Sequence, residues 1–186
     1  MATRTISRLY DSYRDAREVV AELQAVGIPD EDVAVVAGQV EEESMAGTGA
    51  GIGAVLGGGA GLLAGLGTIA IPGIGPVVAA GWLVATLAGT VVGGGAGGLL
   101  GSLIHEGVSE DEANVYAEGV RRGGTLVTVR VPESREVEVE RTMIRHNCVD
   151  WMDRRRDYAK CGWSRFDETG ATYVPPGTRP SDRQMR

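Results

Sequence analysis

The sequence is poor in the residues that hold metals or cross-link a fold. In 186 residues it has two histidines and two cysteines, Cys148 and Cys161. That is too few for a disulfide framework or a cysteine-rich metal site, and it fits a reducing cytosol. There is one lysine, Lys160, and no Gly-Lys-Ser/Thr, so a phosphate-binding P-loop is excluded. The opening residues MATRTISRLYDSYRDAREVV carry no apolar run of signal-peptide length, and export is not expected. The longest absence is of charge: no Asp, Glu, Lys or Arg occurs between Glu43 and Glu106.

That uncharged stretch is instead crowded with glycine. Of the 29 glycines in the chain, 20 lie between Gly47 and Gly101. Glycine costs a helix about 1 kcal/mol relative to alanine, so the stretch must gain something by close backbone contact, by entering a bilayer, or both. Around it the net charge of −7 is unevenly spread. Residues 1–46 carry −6, residues 105–153 carry −5 and residues 154–186 carry +4. An acidic body with a basic tail argues against nucleic acid as a partner and favours contact between tail and body.

The flanks of the stretch read as one α+β domain split in two. TISRLY, residues 5–10, is a short strand. Ser12 and Asp15 start a helix whose apolar positions are Ala16, Val19, Val20 and Leu23, and Gly27 and Pro29 end it. Val33 to Ala37 is a second strand. Beyond the stretch, Ser109 and Glu112 form a capping box ahead of Ala113, Tyr116, Ala117 and Val120, and Gly123-Gly124 stops that helix. Leu126 to Val131 is a third strand. Pro132 and Ser134 open a further helix carrying Val137, Val139, Met143 and Ile144, and Val149 to Met152 reads as a fourth strand.

A repeat at an offset of 120 residues aligns Thr5-Ile6 with Thr125-Leu126, Leu23 with Met143 and Gly27 with Asn147. Asparagine is the best non-glycine residue for a left-handed cap. The expected fold is therefore ferredoxin-like, two β-α-β halves over residues 1–43 and 105–153, with an insertion at 44–104 and a basic, largely extended tail at 154–186.

The insertion shows two arms, 47–71 and 77–104, on either side of the turn sequence IPGIGP. As a helix the first arm would span roughly 37 Å, enough for a ~30 Å hydrocarbon core. Gly49, Gly53, Gly57, Gly61 and Gly65 recur every fourth residue, as do Gly89, Gly93, Gly97 and Gly101. Each set lies along one helical face and lets another helix approach closely, as small-xxx-small pairs do. The expectation is an antiparallel glycine-zipper hairpin through which copies of the chain associate. Length, lack of charge and Trp82 as an interfacial anchor favour a bilayer. The acidic flanks EEES and HEGVSEDE, and the modest hydrophobicity of the first arm, favour a soluble assembly with the hairpins buried between subunits.

Chemical constellations are few. Gly93, Gly95 and Gly98 satisfy G-x-G-x-x-G after Thr90-Val91-Val92, with Asp111 downstream. A dinucleotide site would need a strand–turn–helix there, in competition with the zipper. His146 and Cys148 are near neighbours, but the expected placement is His146 at helix-end carbonyls and Cys148 in the core. His105 is a boundary residue, and Glu136, Glu138 and Glu140 form a solvated face. No catalytic residue, cofactor, metal or small-molecule substrate is expected. In the tail, Arg154, Arg155, Arg156, Trp163 and Phe166 are expected to make its contacts, with the acidic body of the same or a neighbouring subunit or else with nucleic acid or anionic lipid. From Thr172 onward the composition suggests disorder unless a partner orders it.

The stretches TISRLYDSYRDAREVVAELQAVGIPDEDVAVV, IPGIGPVVAAG and GVSEDEANVYAEGVRRGGTLVTVRV together resemble the bacterial heat-induced, general-stress proteins of the YflT-like type. The resemblance covers about residues 3–153 and is most specific at 107–131; the tail motif CGWSRFD is similar too. Asn147, where the family tends to have glycine, and Cys148, where a small residue is usual, depart from the pattern. The resemblance implies a bacterial protein made under stress, with a glycine-rich hydrophobic segment, no catalytic residues and no active site to carry over. With the hairpin, the expectation is a non-enzymatic protein on the cytoplasmic side of the inner membrane, or else in the cytoplasm.

Overall fold

The computed structural model describes residues 3–38, 67–71, 73–93, 98–170 and 173. Its centre is a five-stranded antiparallel sheet. The strands are β1 (Thr3–Tyr10), β2 (Val33–Ala37), β3 (Gly67–Ile71), β4 (Gly75–Ala80) and β5 (Thr125–Pro132), in the spatial order β1-β5-β2-β4-β3. Six α-helices accompany them among the described residues: α1 (Tyr13–Ala25), α2 (Trp82–Gly93), α3 (Leu99–His105), α4 (Glu110–Arg121), α5 (Glu136–Ile144) and α6 (Trp151–Lys160).

The central strands are buried on both faces, so helices cover both. VAVVA in β2 is buried throughout, as a strand covered on both sides must be. Val33 and Val35 face a core made with Ala16, Val19, Val20 and Leu23 of α1 and Val139 and Met143 of α5. Ala34 and Val36 face the opposite core, with Leu83 and Leu87 of α2, Leu99 and Leu103 of α3, and Tyr116, Ala117 and Val120 of α4. Each apolar helix position singled out in α1 and α4 is buried.

The helix starts follow the capping chemistry. Ser12 accepts from the backbone N–H of Arg14, and Ser109 from that of Glu112. The capping box at Ser109 is only half made, because the Glu112 carboxylate takes the Tyr116 hydroxyl at 2.6 Å. Gly27 (φ 81°) and Asn147 (φ 55°) both adopt the left-handed backbone that the internal repeat implies.

Three expectations need correction. The turn at IPGIGP is present, but the segments it joins are strands: Ile71 pairs with Gly75, and β3 and β4 extend the sheet. The second arm is therefore no single helix over 77–104. It is a strand through Ala80, then α2 and α3 as separate helices, both packed into the core. The apolar β-branched pattern TIAI…PVVAA fits a strand buried on one side, and a short apolar run cannot by itself distinguish this from a helix. Gly89 and Gly93 lie in α2 and Gly101 in α3, while Gly97 and the first-arm positions Gly49, Gly53, Gly57, Gly61 and Gly65 lie outside the described residues. The zipper of the first arm, and the order of the tail beyond Thr172 apart from Tyr173, thus fall outside as well.

The fourth strand is reduced to one backbone bond, from the Val149 N–H to the Leu9 carbonyl. Asp150 then accepts from the N–H groups of Met152 and Asp153 and starts α6, so the N-cap overrides the strand pattern of VDWM.

Candidate interaction site of the C-terminal segment

α4 is the platform on which the chain's last described residues settle. Its first turn, Glu110-Asp111-Glu112, is acidic and suits the positive end of the helix; α6 packs alongside it. The basic groups of the tail meet acids of the body across this junction. Arg154 grips Asp11, just after β1, with two bonds of 2.8 and 2.5 Å. This raises the Arg154 pKa and fixes α6 against the end of β1. Arg155 reaches Asp111 at 2.9 Å, and Arg165 lies 3.7 Å from Glu110. Arg156 does not reach the body: it pairs with Asp153 of its own helix.

Beyond α6 the chain turns back, with the Trp163 N–H bonded to the Tyr158 carbonyl. The Trp163 ring meets Tyr158 edge-on at 5.4 Å. Phe166, the chain's one phenylalanine, is 4 % exposed and belongs to the core beneath α4. Its N–H donates to Asn114 Oδ1 at 2.9 Å, while Asn114 Nδ2 donates to the Glu110 carbonyl. The segment then reaches the β3–β4 turn. A Cβ on Gly73 would stand 2.7 Å from the Asp167 carbonyl oxygen, and Gly73 has φ +74°, so glycine is required where the two backbones touch.

The centre of the junction was not legible in advance. Glu118 is fully buried and is held by Arg121 at 2.7 Å and Arg122 at 2.6 Å. The Arg122 guanidinium stacks over Tyr158 at 4.3 Å and Tyr173 at 5.2 Å, and Arg121 lies 6.0 Å over Phe166. Burial raises the Tyr158 pKa against the opposing pull of Arg154. The spacing E-x-x-R-R places both arginines within reach of Glu118 on the helix, but nothing in it says that the glutamate is buried.

The other residues considered from sequence lie apart from this junction. Thr90-Val91-Val92 is helical, within α2, so the strand required by a dinucleotide fingerprint is missing. His146 turns to α1, with Nε2 2.5 Å from Glu22 and Nδ1 3.9 Å from Glu18. Its bond to Glu22, helped by Arg145, holds that carboxyl below its ordinary range. The Cys148 thiol is half-buried, and burial raises its pKa, the reverse of nucleophile activation. His105 is exposed at the end of α3. Glu136, Glu138 and Glu140 are each paired with an arginine, Arg4, Arg135 and Arg8 respectively. Trp82, read as an interfacial anchor, is engaged by the body instead. Its Nε1 donates to the Asp32 carbonyl, and Arg130 stacks 3.5 Å over its ring. Among the described residues no helix is long and apolar enough to cross a membrane, and no cluster of acidic, histidine and cysteine side chains is arranged to hold a metal ion. Searched against known proteins, the chain matches no family model, no curated protein and no solved structure.

Proposed function

We propose that this chain is a non-enzymatic bacterial stress-response protein that self-associates through its glycine-rich segment, with its α+β body on the cytoplasmic side of the inner membrane. The observation that carries this reading is where the segment is rooted. Ala37, at the end of β2, and Thr68, at the start of β3, both lie opposite Val78 of β4. Two strand spacings, about 10 Å, separate them. The 28 residues between Gly38 and Gly67 thus leave and rejoin one sheet at the same level, from a body whose charged groups are largely engaged with one another. A ferredoxin-like description of that body is supported by the lateral order Val149–β1–β5–β2 and by α1 and α5 sharing one face.

A second reading, a soluble scaffold with the glycine segments buried between subunits, is favoured by the shortness of α2 and α3 and by the capture of Trp82. Carbonate-washed membrane pelleting of the full chain separates the two. Retention in membranes supports the first, and recovery as a large particle without detergent supports the second. Under either, Gly57→Leu with Gly61→Leu reduces the particle while the body keeps its circular dichroism; unchanged particle size defeats the proposal.

A further inference from the structure

We infer that β3 is a dimerisation edge: a second copy of this chain adds its own β3 antiparallel to it, about a two-fold axis at Ile69, so that two five-stranded sheets become one. The inference rests on the self-association reading and adds a second contact to it, outside the glycine-rich segment.

β3 is the last strand of the sheet and pairs only with β4 among the described residues. Closure of the hairpin at Ile71, whose carbonyl accepts from the Ile74 N–H, sets the direction of its backbone groups. Alternation along the strand then turns the N–H and C=O of Thr68 and Ala70 away from β4. Antiparallel pairing about Ile69 sets Thr68 opposite Ala70 of the second copy, and Ala70 opposite its Thr68. Each of these two pairs exchanges N–H···O bonds in both directions, and the edge is self-complementary without any side-chain code. Ile69 against Ile69 is then a non-hydrogen-bonded pair, with Cα atoms about 4.5 Å apart. Ile69 already rests in part against the core, so pairing would cover its remainder.

Charge selects a second copy as the occupant. The chain carries −7 overall, so copies repel each other over most of their surface. No charged residue lies anywhere from Ser44 to His105, so β3 adds none of its own. The tail's Asp167 and Glu168 approach only at Gly73 and the Ile71 end of the strand, not at Ile69. The face of the hairpin turned away from the core shows Ala70, Pro76 and part of Val78, small and uncharged. Among the described residues it offers no charged side chain to a peptide of defined sequence, whereas strand-adding domains use side-chain recognition for specificity. Natural edge strands are blunted by charge, proline or cover; β1 is, and among the described residues β3 carries no charge or proline and no partner beyond β4.

The test uses the full-length chain, in mild detergent if it extracts with membranes, with light-scattering mass read after size exclusion. In the Gly57→Leu/Gly61→Leu background the β3 contact leaves a dimer. Adding Ala70→Pro, which removes one outward N–H on an edge where proline is tolerated, halves the mass with circular dichroism and melting retained. If the proline variant does not fold, Ala70→Lys puts like charges at the same contact and decides the matter. A background variant that is already monomeric overturns the edge pairing and leaves the glycine reading standing. A dimer that survives both Ala70 substitutions also overturns it. Loss of mass with Ala70→Pro, but none with the glycine substitutions, sustains the edge pairing and defeats the glycine reading. A wild-type monomer at all concentrations defeats both. Register is read from Ile69→Cys in a Cys161→Ser background, which cross-links as a dimer on mild oxidation.

Discussion

Along β1 the outward carbonyl of Ser7 receives the Arg8 guanidinium at 2.8 Å and shares the single Tyr116 hydroxyl proton with Glu112, while the outward carbonyl of Leu9 receives the Val149 N–H. Thr5 adds a bond to Glu106, and Arg4 and Arg8 pair with acids of α5 and its approach. At the other side of the same sheet β3 reads GTIAI, with no charged residue and no described partner on its outer edge. One edge is closed with the arginines, acids and tyrosine of the two flanks; the other is drawn from the uncharged stretch, which has none of these to use. The contrast teaches that edge protection among the described residues follows composition: apart from the Val149 N–H, the guards lie where the sequence supplies polar side chains long enough to reach the backbone.

The largest expected effect concerns how the bare side is held. The tail reaches the β3–β4 turn through Phe166 and Asp167. Phe166→Ala is expected to cost about 3–5 kcal/mol in urea unfolding, as loss of a fully packed phenylalanine does. Hydrogen exchange then rises in β3 and β4 well before β1; equal loss of protection at both edges would erase the contrast.

At the guarded edge, Tyr116→Phe leaves the Glu112 carboxylate short of a donor and is expected to cost about 1–3 kcal/mol. Combined with Arg8→Ala it uncovers the Ser7 carbonyl. Concentration-dependent association beyond that of the wild type should then follow, seen as a sedimentation coefficient that rises further with concentration.

A smaller effect is expected from Arg154→Ala. The Asp11 end of this pair is 65 % exposed, and such pairs contribute about 0–1 kcal/mol. Tail docking should survive it, with Trp163 fluorescence unchanged, because Phe166 and Asn114 hold the segment. Finally, Glu22 has its pKa lowered by His146, so its contribution to stability is present above the unfolded carboxyl value and is lost as pH falls through the folded one. Glu22→Gln should therefore be less stable at neutral pH and lose less between about pH 5 and pH 3, measured as urea midpoints against pH.

What was legible in the sequence was local. Ser12, Ser109 and the i, i+3, i+4 spacing of apolar residues placed α1 and α4; the short apolar run VAVVA and the stretch from Leu126 to Val131 placed β2 and β5. Asn147 was recognisable as a left-handed position because few residues tolerate it. The tail's contact residues were legible as a class, basic and aromatic against an acidic body, though Arg156 stays on its own helix.

What the sequence left open was settled by partners distant in the chain. TIAI and PVVAA are equally apolar as helix or strand, and only the open flank of β2, which pairs with β4 from Val35 to Ala37, makes them strands. VDWM looked like a strand until Asp150 found two N–H groups to cap. The burial of Glu118 between Arg121 and Arg122, under the rings of Tyr158 and Tyr173, depends on α6 and the tail folding back over α4. Periodicity and caps are encoded within a few residues, because each is set by backbone groups one turn away. Strand partners, buried ion pairs and sheet edges are encoded nowhere in particular, because each depends on what the rest of the chain brings alongside.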